Sequence, residues 1–213
     1  MKSDEAVAAT IGEKVVRPIA RVCLFCGANV GRRESYVEAA RTLGALLAHE
    51  ELTLVYGGGS VGLMNETAST ALASGGRVIG VITEELNARE VGHTAITELH
   101  VVRTMHERKA MMASLADAFI GLPGGWGTLD EVNEMLTWNQ LGIHAKPVVL
   151  VDVERYFEGF IRQADRAVDD GLLRPENRAL LLVASTPLEA LKLARQWQPP
   201  PAVRWSMEPV PQP

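Results

Sequence analysis

Seven short apolar runs alternate with stretches of helical periodicity along most of this 213-residue chain. The runs are residues 21–27 (RVCLFCG), 52–57 (LTLVYG), 77–83 (RVIGVIT), 98–104 (ELHVVRT), 117–123 (DAFIGLP), 147–152 (PVVLVD) and 179–185 (ALLLVAS). Helical patterns fill 34–49, 62–74, 106–116, 128–140, 154–169 and 187–197. Strands that are apolar along their whole length need cover on both faces, which crossover helices on a parallel sheet supply. The alternation therefore predicts a doubly wound α/β fold, whose ligands bind beyond the carboxyl ends of the strands. One domain, residues 19–198, suits a chain of this length. Residues 1–18 are expected to form a flexible tail, and the Pro-rich residues 199–213 a second one.

The composition narrows the partners. Hydrophobic residues make up 47% of the chain, which is a globular content and not a disordered one. A net charge of −5 lacks the basic excess of a nucleic-acid binder. No apolar run is long enough to span a bilayer, so no membrane partner is expected. The N-terminal stretch carries early acids and no continuous apolar segment, and a cytoplasmic protein is expected. Cys23 and Cys26 form a C-x-x-C pair, but within a strand residues i and i+3 point to opposite faces. They are read as reduced structural cysteines. The five histidines show no metal-ligand spacing, and no metal site is assigned.

Two glycine loops carry the functional signal. In YGGGSVGLMNE (56–66), Gly57, Gly59 and Gly62 match G-x-G-x-x-G between a strand and a helix. The match follows the second strand, and the acids at the end of the next strand, Glu84 and Glu85, come late for ribose binding. The loop serves either a close strand-to-helix crossover or a phosphate at a helix N-terminus, with Gly58 and Gly59 as its candidate contacts. In LPGGWGTLDE (122–131), Gly124, Gly125 and Gly127 would let backbone amides close on a phosphate, without the lysine of a P-loop. Two such loops in one domain suit a nucleotide better than an isolated anion. Thr128 and Glu131 allow two readings: a T-x-x-E capping box, or a catalytic carboxylate behind a phosphate cradle. Arg108 falls within a helical stripe of Met105, Met112 and Leu115, where an arginine either snorkels outward or is paired inside a site.

At this point the residues resemble a known family. MHERKAMMASLADAFIGLPGGWGTLDEV (105–132) is similar to the signature block of the Lonely Guy family, and VYGGGSVGLMNETA (55–68) and WNQLGIHAKPVVL (138–150) fit it too. The likeness spans about residues 20–185. It departs from the family pattern at Trp126, where Tyr is common, at CGAN (26–29), and at Asn65. The resemblance implies a Rossmann-like fold and a homodimer with sites at the subunit interface. It also implies hydrolysis of cytokinin riboside 5′-monophosphates without a metal or organic cofactor. It assigns essential roles to Arg108 and Glu131, and substrate contacts to Glu90, Lys109, Gly125, Trp126, Gly127, Thr128 and Thr137. A nucleotide sensor or carrier without turnover, and a dinucleotide-dependent oxidoreductase, are the rival readings.

Overall fold

The computed structural model describes residues 18–90, 92–93 and 95–199, with only the backbone of Glu90 included. The expected tails lie almost wholly outside the described residues. In chain order the elements are β1 (Arg21–Phe25), α1 (Glu34–His49), β2 (Thr53–Tyr56), α2 (Gly62–Ala73), β3 (Val78–Thr83), α3 (Glu84–Glu90), β4 (Glu98–Val102) and α4 (Met105–Leu115). They continue as β5 (Ala118–Gly121), α5 (Trp126–Gln140), β6 (Val148–Val151), α6 (Glu158–Asp169), α7 (Pro175–Arg178), β7 (Leu181–Ala184) and α8 (Pro187–Gln196). All seven strands join one parallel sheet in the order β4-β3-β2-β1-β5-β6-β7.

The pattern expected of a twice-covered sheet is present. β3, β5 and β6 are buried along their entire length. Side chains of alternating register feed two cores, one on each face of the sheet. Leu24 and Leu54 join one, and Cys23, Phe25 and Val55 the other. Cys26 belongs to the opposite core from Cys23, and both are free thiols. α1 buries Val37, Ala40, Leu43 and Leu47 at helical spacing, and Gly44 lets it lie against α2, since a Cβ there would overlap the Thr67 carbonyl.

Three local features depart from the sequence reading. α3 and α7 are additional short helices. The segment expected to open a helix at residue 154 is a 3₁₀ turn with Glu154 and Arg155 at positive φ, and α6 starts at Glu158. α5 begins at Trp126, two residues before the expected start.

Candidate active site

The chain runs from β1 outward to β2, β3 and β4, and then returns to place β5 on the other side of β1. Loops leaving β1 and β5 therefore part in opposite directions, which opens a crevice at their carboxyl ends. Backbone bonds close its floor: Gly27 N donates to Pro123 O at 3.0 Å, and Leu63 N donates to Gly27 O at 3.0 Å. Gly62, at φ +60°, brings α2 onto this floor, because a Cβ there would overlap the Ala28 backbone. The resulting cleft encloses about 480 Å³.

Arg108 reaches the cleft from the first turns of α4. Its Nε donates to Val81 O at 2.9 Å, and its Nη2 donates to Gly57 O at 3.1 Å. Two carbonyls, one within β3 and one just past β2, thus hold the guanidinium flat, and Nη1 donates to Met105 Sδ at 3.3 Å while facing Glu131 Oε1 at 3.7 Å. The arginine of the apolar stripe is paired inside the site and does not snorkel; its side chain is 11% exposed. Gly57 makes this approach possible, because a Cβ there would overlap the guanidinium.

Glu131 lies in the second turn of α5 and is 12% exposed. Burial pushes its carboxyl up to about 7, against the opposing pull of Arg108. The same surroundings act on the thiol of Cys26 in the cleft wall: burial, then the nearby Glu131, drive it far above the usual range and keep it protonated.

The capping-box reading of Thr128 and Glu131 is overturned. Gly125 is the N-cap of α5, with no side-chain cap, so Thr128 sits in the first turn and Glu131 beyond it. Glycine reaches the N-cap conformation without strain, so the helix starts earlier than the Thr suggested. The first amide of α5 to find a helix partner is Leu129 N, which donates to Gly125 O at 3.2 Å. The preceding amides form an open, positively polarised end. The Thr128 hydroxyl lines the cleft and is buried without a hydrogen-bond partner. The true capping box is one helix earlier: Glu107 N donates to Thr104 Oγ1 at 3.1 Å, and Thr104 N to Glu107 Oε2 at 3.4 Å.

The cleft brings together Arg108, Gly125, Trp126, Gly127, Thr128 and Glu131. Trp126 stands at its rim, 88% exposed. Other expected contacts lie elsewhere. Lys109 is buried between α4 and α5, with Nζ 3.0 Å from Asp130 Oδ2 and 3.2 Å from Glu134 Oε2. Burial disfavours its charge, but the two carboxylates outweigh that and raise it above its ordinary value. Thr137 donates to Asn133 O at 2.8 Å and lines a separate hollow between α5 and α6. Gly58 and Gly59 are buried behind Gly57, which faces the cleft in their place. Gly58 takes φ +74° against β3. Glu90 ends α3, and its side chain is outside the described residues. Sequence reasoning missed Tyr36 and Tyr156, which form one wall of the cleft with ring centroids 5.5 Å apart. The usable signal for Tyr156 was its place just past the carboxyl end of a strand. Among the described residues no group of three or more His, Cys, Asp or Glu side chains is placed to hold a metal ion.

Fold and cleft define a doubly wound α/β protein with a buried acid and arginine beside an open helix end, at the sheet's switch point. The comparisons narrow this class. The profile of a family described as "Possible lysine decarboxylase" matches residues 64–194. The chain is 47% identical over 180 residues to the cytokinin riboside 5′-monophosphate phosphoribohydrolase LOG7 of Arabidopsis thaliana, covering 84% of this chain and 82% of that one. It is 44% identical to LOG1 of the same plant, covering 84% of each. Among solved structures, the molybdenum cofactor carrier protein of Chlamydomonas reinhardtii superposes with a TM-score of 0.63 at 23% identity, over 83% of this chain and 96% of that one. That likeness bears on the fold alone. The chain belongs to the Lonely Guy family, to which these plant phosphoribohydrolases belong.

Proposed function

We propose that the protein hydrolyses the N-glycosidic bond of N6-modified adenosine 5′-monophosphate, giving the free base and ribose 5-phosphate. The observation that carries this reading is the buried Glu131–Arg108 pair one turn inside the open N-terminus of α5. The 5′-phosphate sits at that helix end, where unpaired amides and the Thr128 hydroxyl can donate to it. Anchoring the phosphate places the ribose over Glu131 and removes much of the entropic cost of reaction. As the C1′–N bond breaks, its electron pair leaves with the base and the sugar turns oxocarbenium-like. Ionised Glu131 faces that charge, takes a proton of the attacking water and releases it to solvent, while the departing base takes up a proton from solvent to become the free base. Water's oxygen closes the new C1′–O bond. Arg108, fixed by two carbonyls, holds Glu131 in place and gives its remaining donor to ribose or phosphate oxygens.

Pyridoxal-based decarboxylation, which the family's description suggests, needs a lysine in the site for a Schiff base. Among the described residues no lysine lines the cleft; Lys109 is held by Asp130 and Glu134, and Lys146 Nζ donates to Ala113 O. A homodimer is part of the proposal. The hollow holding Thr137 lies on the α5–α6 face, where α6 is amphipathic yet buries no residue fully, which suits cover by a second protomer. A nucleotide substrate and two unpaired thiols suit a cytoplasmic setting.

The test is direct. Purified protein with N6-isopentenyl-AMP should release ribose 5-phosphate, while the matching nucleoside, which gives the helix ends nothing to hold, should react at least about 100-fold more slowly. Equal rates on the two would remove the phosphate anchor. An active monomer in sedimentation at assay concentration would remove the dimer.

A further inference from the structure

The segment after β6 is built at a conformational cost that packing alone does not require. Glu154 and Arg155 are consecutive non-glycine residues at φ 50° and 61°, a left-handed pair that L side chains disfavour. Outliers of this kind persist only where the surroundings over-determine them, and they cluster at sites that need a fixed geometry. Here the restraints are visible. Phe157 N donates to Asp152 Oδ1 at 2.6 Å. Glu154 is ion-paired with Arg33, which stands at the N-cap of α1 on the far side of the turn. The ring of Tyr156 packs edge-on against Tyr36 and, at 5.0 Å, against Phe157. The outcome is one contact: Tyr156 Oη donates to Gly124 O at 2.5 Å.

That contact falls on the last packed residue before the open turn that starts α5. Gly124 itself is packed against Thr128 and the Gly27 backbone, but nothing lies within 4 Å of where a Cβ on Gly125 or Gly127 would be, so beyond Gly124 the turn faces open space. In a trans peptide the carbonyl and the next N–H point in opposite directions. A donor on Gly124 O therefore also sets the direction of Gly125 N–H, at the head of α5. A peptide free to flip would at times turn a carbonyl towards the helix end and repel an anion there.

We propose that Tyr156 is a positioning residue. Clamped by the strained turn and the Arg33–Glu154 pair, it holds the Gly124–Gly125 peptide in the orientation that receives the substrate phosphate. The inference rests on the phosphate role of the α5 N-terminus proposed above.

The experiment uses the full chain and two probes: ribose 5-phosphate by calorimetry, and N6-isopentenyl-AMP in steady-state kinetics. Tyr156→Phe keeps the ring packing and removes the donor. Its Kd for ribose 5-phosphate and its KM should rise about tenfold, the scale of one hydrogen bond, with kcat within about twofold and melting within about 2 °C of wild type. Arg33→Ala, which does not line the cleft, should shift both constants the same way by about threefold. Wild-type constants in Tyr156→Phe overturn the inference. So does an affected Tyr156→Phe beside an unaffected Arg33→Ala, which would mean direct contact between Tyr156 and substrate. If Tyr156→Phe fails to fold, Arg33→Ala decides alone. If the wild-type protein itself does not bind ribose 5-phosphate, the phosphate reading fails, and this inference fails with it.

Discussion

Glu131 is buried where an ionised carboxylate is disfavoured, and two consequences of opposite kind follow. Its carboxyl rises from an ordinary 4.5 to about 7, so between those values the folded protein keeps a proton that the unfolded chain has lost. The resulting stabilisation is full below about pH 4.5 and is lost as pH rises through about 7, a change of roughly 3 kcal/mol. Catalysis runs the other way, because only the ionised form can face a cationic sugar; kcat should climb with pH through about 7. Glu131→Gln should therefore lose on the order of 100-fold or more in kcat. The same protein should be more stable than wild type at pH 8 and nearly equal to it at pH 4.5. Urea unfolding at both pH values checks this, and a stability difference independent of pH would contradict it. Gly57→Ala tests the arginine. The added Cβ must displace the guanidinium, so activity should fall nearly as far as in Arg108→Ala, although residue 57 offers no chemistry. The methionine stripe left the direction of Arg108 open because its partners, the carbonyls of Gly57 and Val81, lie far away in sequence.

Elements were legible where periodicity was long. The stripe Val37, Ala40, Leu43, Leu47 predicts a helix over 34–49, and α1 is Glu34–His49. Seven apolar runs gave seven strands. α3 was missed because EELNARE offers Leu86 as its one large apolar residue in under two turns. The 3₁₀ turn was missed because left-handed backbone at Glu154 and Arg155 has no signature in residues other than glycine or asparagine. The capping boxes show a sharper limit. Among the described residues T-x-x-E occurs at Thr104–Glu107, Thr128–Glu131 and Thr186–Glu189; the first and third Thr cap a helix and the second does not. The second follows a glycine that starts the helix early, so its Thr points into the cleft and its Glu falls deeper. Thr104 and Thr128 should separate by mutation. Thr104→Ala should cost about 1 kcal/mol in unfolding experiments. Thr128→Val, which removes a hydroxyl with no partner, should leave stability unchanged or slightly higher while weakening ribose 5-phosphate binding several-fold. A stability loss in Thr128→Val equal to that of Thr104→Ala would restore the cap.

At the scale of the whole molecule, the family and the fold were legible in the motif blocks and the alternation, whereas the separation of Lys109 and Thr137 from the cleft was not. Spacing along one helix does not say which side chains a neighbouring helix will claim, and Asp130 and Glu134 claim Lys109. The strand order carries one more implication. β1 to β4 are neighbours in one half of the sheet and β5 to β7 in the other, and the two sets meet along a single join between β1 and β5, from Val22↔Ala118 to Phe25↔Gly121. Arg108 and Glu131 both follow β4 in the chain, but the carbonyls that hold Arg108 and the Gly27 floor come from the first set and its loops. A chain cut between β4 and α4 would thus leave the reacting residues in one fragment and their supports in the other. Each fragment alone should be silent, and mixing them should restore hydrolysis in proportion to the seams that close. Turnover by the second fragment alone would refute this. The molecule is, in effect, a coincidence detector: its chemistry registers the meeting of two halves that the chain wrote separately.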